Sequence, residues 1–338
     1  IRMFKFLNLQ PEVFAADISD DSLKIVKLSQ KMGGFEISSW NETKVEPGIV
    51  ADGIVQNQDA LVTTIKKAYS SVQGHPLKTK YVAILLPDEK AFLQVIKMPM
   101  LTDRELQSAV RFEVAKYIPL PVEKVYIDFQ VIGSDHRERE AEHLNVLISA
   151  MPRQIVDGYV NSFKKAGMIP CIMEIRSQAV VRAIRAATAK LQSALILHAT
   201  PSKINFIVFS GTYISYTFSF PFLLDSITST RADSKDPQLE SLLGQVKKYV
   251  DFYHSHASYE HFSAGDTIAK IVLCGEKADS KNIANYILQK TGIPVEVGNP
   301  LVNLRAKGST IIPALKLAKF TAAIGLALRP VTQPIFTE

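Results

Sequence analysis

Phe14-Ala15-Ala16-Asp17-Ile18-Ser19-Asp20-Asp21-Ser22-Leu23-Lys24-Ile25-Val26-Lys27-Leu28 places a short polar turn between two apolar, β-prone runs. Residues 13–16 and 23–28 read as adjacent strands joined at 19–22, a connection built from the turn formers Ser and Asp. Such a turn suits a phosphate. Backbone N–H groups and the hydroxyls of Ser19 and Ser22 can point at an anion, Lys24 can reach a phosphate oxygen, and Asp17 can hold a metal-bound water. The same residues also make an ordinary solvated hairpin, and the local pattern leaves both readings open.

Outward from this hairpin, a third strand is expected at 35–40 after the Gly33-Gly34 turn, then a helix at 59–72 with Leu61, Ile65, Ala68 and Val72 on one face, and a buried strand at 80–86 closed by Pro87-Asp88. The chain then changes character. A strand at 92–96 precedes a capping-box pattern, Thr102 with Glu105 three residues on, which should open a helix running to Tyr117 before Pro119 and Pro121 stop it. Strands at 125–132 and 144–150 flank the polar loop 134–143, and a helix at 153–165 turns Ile155, Val156, Tyr159, Val160 and Phe163 inward. A strand at 169–174 and a helix at 177–191 follow, and then the opening pattern repeats. Residues 194–198, 203–209 and 213–220, with turns at 200–202 and 210–211, reproduce the strand-turn-strand-turn-strand order of 14–40. The remainder reads as helix 239–255, strand 270–274 ending at Gly275, helix 279–290, strand 294–297 and a last helix 313–328 ended by Arg329-Pro330. The expected organisation is α/β, with a first lobe at 12–88 and 169–192, an inserted α+β subdomain at 89–168, and a second lobe at 193–330 containing a helical subdomain at 235–268.

At 338 residues, 47% hydrophobic and 21% charged, the chain has the composition of a folded two-domain protein. No apolar run approaches the roughly 20 residues that cross a bilayer. The first residues are broken by Asn8, Gln10 and Pro11 before a signal-type apolar core develops, so the expectation is a cytoplasmic protein. Cys171 and Cys274 lie in apolar stretches and read as reduced core residues. The net charge of +6 is spread along the chain rather than gathered into a basic aromatic face, and nucleic acid is not an expected partner.

Two copies of a three-stranded unit, an insert in the first and a Gly-terminated strand late in the second resemble the actin-like ATPase superfamily, with its ribonuclease H-like fold. FAADISDDSLKIVKL is similar to that superfamily's first phosphate loop, IVLCGEKADSKNIANYI to its adenosine-binding strand-turn-helix, and FTAAIGLALR to its closing helix. Within the superfamily, VIKMPMLTDRELQSAVRFEVAKYIPLPVEKVYIDFQVI resembles the PilM family of type IV pilus assembly proteins, relatives of the division protein FtsA, and KKYVDFYHSH fits the helix before the adenosine strand.

The resemblance implies a scaffold at the inner face of the cytoplasmic membrane, peripheral through its partner. It would capture the N-terminal cytoplasmic tail of a PilN-like inner-membrane protein in a groove beside the insert. Other inner-membrane pilus assembly proteins and self-association are further partners it allows. It also implies ATP and Mg²⁺, held by Asp17, Ser19, Ser22, Lys24, Thr200, Ser202, Gln245, Gly275 and Glu276, with Asp17 toward the metal.

Departures from the family pattern weaken this site. Ser19 stands where glycine is usual, so the backbone is less free to take positive φ. His198-Ala199-Thr200 replaces Asp-Ile-Gly, and Pro201 offers no N–H. Glu276 replaces a second glycine and Gln245 a helix glutamate. With one carboxylate lost, Mg²⁺ binding and in-line geometry should both suffer, so ATP binding is expected to be weak or lost and turnover absent.

His198 reads as a structural histidine at a strand end, and His254, His256 and His261 as a polar helix end rather than a metal set. Tyr117-Ile118-Pro119-Leu120-Pro121 reads as a helix stop that shapes a ledge for an extended peptide, by strand addition or groove docking, with Val110, Glu113, Tyr117 and Pro119 toward the partner. The competing classes are a type II secretion GspL-like domain, which would continue into a membrane helix, an FtsA-like polymer, which would want an amphipathic C-terminal helix, and an active actin-fold ATPase, which would need intact phosphate loops.

Overall fold

The computed structural model describes residues 11–134, 143–186, 193–211, 213–222, 236–256, 267–276, 281–305 and 311–332. The polar loop at 135–142, the far end of the predicted helix at 187–191, His261 and the caps at 279–280 lie outside them. In chain order the elements are β1 (Phe14–Ile18), β2 (Ser22–Lys31), β3 (Gly34–Lys44), β4 (Val50–Ala51), β5 (Ile54–Val55), α1 (Gln58–Ser70), β6 (Gln73–Gly74), β7 (Tyr81–Leu86), β8 (Phe92–Pro99), α2 (Asp103–Val114), β9 (Val125–Ser134), β10 (His143–Pro152), α3 (Arg153–Lys165), β11 (Ile169–Ile175) and α4 (Arg176–Ile184). They continue with β12 (Ala194–Ala199), β13 (Lys203–Phe209), β14 (Ile214–Pro221), α5 (Pro237–His256), β15 (Lys270–Gly275), α6 (Lys281–Thr291), β16 (Val295–Val297), α7 (Ala314–Leu317) and α8 (Thr321–Thr332).

The chain forms two compact units, the first made of Ile1–Pro87, Asp157–Ala186 and Pro300–Glu338, the second of Asp88–Val156 and Ala187–Asn299. The first contains a six-stranded sheet in the order β11-β7-β1-β2-β3-β6, the second a five-stranded sheet in the order β14-β13-β12-β15-β16. The duplication read from the sequence is therefore topological as well: β3-β2-β1-β7-β11 matches β14-β13-β12-β15-β16 strand for strand. In both, two antiparallel hairpins are followed by parallel pairs, β1 with β7 and β7 with β11, then β12 with β15 and β15 with β16. Parallel strands need covered faces. In the first unit β1 and β7 are almost wholly buried, and α8 and α4 pack nearby. The α4–α8 approach is so close that a Cβ on Gly325 would sit 1.8 Å from the Ala179 carbonyl oxygen.

Most of α3 belongs with the first unit rather than with the insert sheet. Gly53 and Val55 explain this: the fully buried Tyr159 donates its hydroxyl to the Gly53 carbonyl at 2.9 Å, and Gly158 lies beside Val55. The single helix expected at 313–328 is instead α7, a tight 3₁₀ turn and α8, which continues past Pro330 to Thr332. A proline in the last turn forfeits one helical N–H bond without stopping the two residues that follow.

The insert is a three-stranded antiparallel sheet in the order β8-β10-β9, covered on one face by α2. The capping box is realised: Thr102 N–H donates to Glu105 Oε2 at 2.9 Å and Glu105 N–H returns to the Thr102 hydroxyl at 3.5 Å. Leu106, Val110, Val114 and Ile118, each four residues apart, form the buried stripe against Ile96, Val146 and Ile148.

Candidate functional site

Each hairpin closes on a hydroxyl by the same set of bonds. In the first, Ser19 N–H donates to the Ser22 carbonyl at 2.8 Å, Ser22 N–H returns to the Ser19 hydroxyl at 3.2 Å, and that hydroxyl lies 3.1 Å from the same carbonyl oxygen. In the second, Thr200 N–H and hydroxyl both donate to the Lys203 carbonyl at 2.9 Å, and Lys203 N–H returns at 3.3 Å. These are hydroxyl-sealed turns that use local amides to close themselves. At the tip of the first, Asp21 accepts from the Ser19 hydroxyl at 2.6 Å, and Asp20 accepts from the N–H groups of Asp52 and Gly53 at 3.1 and 3.0 Å.

Two residues before each turn the chemistry diverges. Asp17 pairs across the strands with Lys24, and His198, at the equivalent place, pairs with Asn205. Lys24, buried, donates to the Ser22 hydroxyl at 2.6 Å. Asp17 instead meets a residue that the sequence reading missed. Arg176, the first residue of α4, donates from Nε and Nη2 to Asp17 Oδ1 at 3.2 and 2.9 Å, and from Nη2 to the Ile18 carbonyl at 2.7 Å. The two side chains are only 5% and 7% exposed. No local motif announces Arg176. Its position after an apolar strand was the only signal, because arginine is rarely buried without a carboxylate partner.

In the second unit, Asn205 accepts from the Ser219 hydroxyl at 2.7 Å, and Lys203 is paired with Glu89 at 2.6 Å. Gly275 has φ +88 and its missing Cβ would stand 2.2 Å from the Ala199 oxygen and 2.9 Å from His198 Cδ2, so this glycine is required by a close backbone approach. The Glu276 N–H is spent on the Ala199 carbonyl at 2.8 Å. Ser202 is exposed, and Gln245 is half-buried on α5. Asp17, Ser19, Ser22 and Lys24 thus lie together in the first unit, and His198, Thr200, Ser202, Gly275 and Glu276 around one turn region of the second. His254 accepts from the Ile268 N–H at 3.3 Å, a structural use of that imidazole.

Of the residues expected to meet a partner, Val110 needs correction. It is 1% exposed and belongs to the insert core, as its spacing from Leu106 and Val114 required. Tyr117 and Pro119 face solvent, and Glu113 is half-buried and chelates Lys116 at 2.8 and 2.9 Å. The aromatic overlooked in the sequence is Phe112, 75% exposed, off the apolar stripe, with the Lys116 ammonium 5.7 Å from its ring. With Tyr117 and Leu120 it gives the solvent side of α2 and the following turn an apolar surface.

Duplicated sheets with hairpins leading into parallel strands define an actin-like ATPase fold. A solved structure of a PilM-PilN type IV pilus biogenesis complex matches with a TM-score of 0.79 at 20% identity, covering 95% of this chain and 99% of that one. MreB5 of Spiroplasma citri bound to ADP matches with a TM-score of 0.50 at 11% identity, covering 95% and 96%. The type IV pilus assembly protein PilM family matches residues 15–199, more than half of the 338 residues, and the chain belongs to that family.

Proposed function

We propose that this chain is a pilus assembly scaffold that captures the N-terminal cytoplasmic tail of a PilN-like inner-membrane protein, and that it does so without nucleotide turnover. The observation that carries the reading is the solvent face of α2 and its following turn. Phe112, Tyr117 and Leu120 are exposed there while the opposite stripe of the same segment is packed. Large apolar side chains held out by a well-packed helix are suited to anchoring an apolar segment of a partner. Family membership and the likeness to a complex containing PilN support the choice of partner. Among the described residues no helix is long and apolar enough to cross a membrane.

The reading of ATP binding as weak or lost is supported by both hairpins. The first carries Asp20 and Asp21 at its tip and a carboxylate at Asp17 already neutralised by Arg176, while the second has no acid at 198. In-line phosphoryl transfer needs metal and a positioned water, and neither hairpin supplies a carboxylate suited to them. The docking test is calorimetric titration with a synthetic tail peptide. Phe112→Ser should weaken binding at least tenfold while leaving thermal stability unchanged, since Phe112 is exposed; unchanged affinity would remove this face from the interface.

A further inference from the structure

The fold family implies a magnesium ion beside the carboxylate of the first hairpin, and the residues present do not fit one. Asp17 Oδ1 takes two N–H donors from Arg176, and the same guanidinium reaches on to the Ile18 carbonyl. Both side chains are buried, where charges are weakly screened. The Lys24 ammonium adds a second cation on the residue directly opposite Asp17 across the β1–β2 pair. A divalent ion at this carboxylate would have to displace the guanidinium or sit beside it, with the Lys24 ammonium carried on the residue opposite.

We propose that Arg176 is the resident cation of Asp17, standing where the fold family places a divalent metal, so that Asp17 holds no metal in this protein. The guanidinium suits this role. A planar guanidinium cannot lose its proton in the physiological range and supplies several donors in a fixed fork, so it fixes the end of β1 to the start of α4 at any metal concentration. In this chain the carboxylate has become part of the first unit's framework. This inference rests on reading the hairpin as a degenerate nucleotide loop.

Manganese is the probe, as a paramagnetic stand-in for magnesium, read by water-proton relaxation on the full chain with and without excess ATP. Wild type and Asp17→Asn are expected to be indistinguishable. Folded Arg176→Gln is expected to gain manganese binding at least tenfold, and the double variant D17N/R176Q to lose that gain. Manganese binding by wild type that falls tenfold or more in Asp17→Asn would overturn the proposal, as would folded Arg176→Gln with no gain. Where a single variant fails to fold, wild type against the double variant, which removes both charges together, decides whether Asp17 holds metal. A separate titration with ATP in EDTA tests the underlying reading: tight ATP binding there would overturn the degenerate nucleotide loop while leaving the manganese result standing.

Discussion

The two hairpins share a backbone and differ in charge. Ser19 and Thr200 seal their turns through matching bonds, and the residues two positions earlier, Asp17 and His198, face cross-strand partners at equivalent register. Yet the first copy holds a buried Asp17–Arg176 ion pair, with the Lys24 ammonium on the Ser22 hydroxyl, whereas Asn205 at the site equivalent to Lys24 is a neutral amide whose oxygen accepts from Ser219. Hydrogen bonding within a turn maintains a loop's shape whatever its ligand chemistry. Shape and ligand chemistry can therefore change independently, and a phosphate-loop pattern does not by itself imply a metal site.

The largest effect expected from this difference is at Arg176. Arg176→Ala leaves a buried carboxylate without its guanidinium and should cost about 3–5 kcal/mol, read by urea denaturation; a loss below about 1 kcal/mol would mean the pair is no more than a surface contact. The second hairpin is most sensitive at its neighbouring strand. Gly275→Ala should cost about 3 kcal/mol through positive φ and a backbone clash, and a neutral result would show that the close approach to Ala199 relaxes freely. Removing the turn hydroxyls should reveal the likeness of the two copies. Ser19→Ala and Thr200→Val are each expected to cost about 1 kcal/mol, the net worth of a typical hydrogen bond, and clearly unequal losses would break the equivalence.

The smallest effect lies outside both hairpins, at the exposed start of α2, and gives a surface reference for the buried terms. Hydrogen bonds from the Thr102 side chain and then its backbone N–H lower the Glu105 pKa below 4.5. A depressed carboxylate contributes stability that is present above the unfolded value and lost as pH falls through the folded one. Hydrogen exchange of the first turn of α2, compared between pH 6 and a pH below 4.5, should show fraying on acidification, and Thr102→Ala, which keeps only the backbone donor, should make that pH dependence smaller. Equal protection at both pH values would mean the box adds nothing measurable.

Much of this fold was legible because its signals are local and periodic. The capping box at Thr102, the strand ending at Gly275 and the repeat of 14–40 in 194–220 each follow from turn chemistry and alternation. The same periodicity, applied strictly, places Val110 in the core with Leu106 and Val114, and naming it as a partner contact gave the sequence's apolar character more weight than its spacing. The Asp17–Arg176 pair was not legible. Its members are 159 residues apart, and only the β1-β7-β11 order brings the start of α4 to the end of β1. The placement of α3 failed for a related reason, since the Gly53 carbonyl that receives Tyr159 is 106 residues away.

The central claim is a tail-capturing scaffold whose nucleotide loops no longer govern it. Its most direct test is calorimetric titration of the protein with the tail peptide, run with and without saturating Mg-ATP. The account predicts saturable binding with the same Kd, within about twofold, in both conditions, because a ligand that does not distinguish two states shifts neither. Binding that appears only with Mg-ATP, or no binding in either condition, would contradict it.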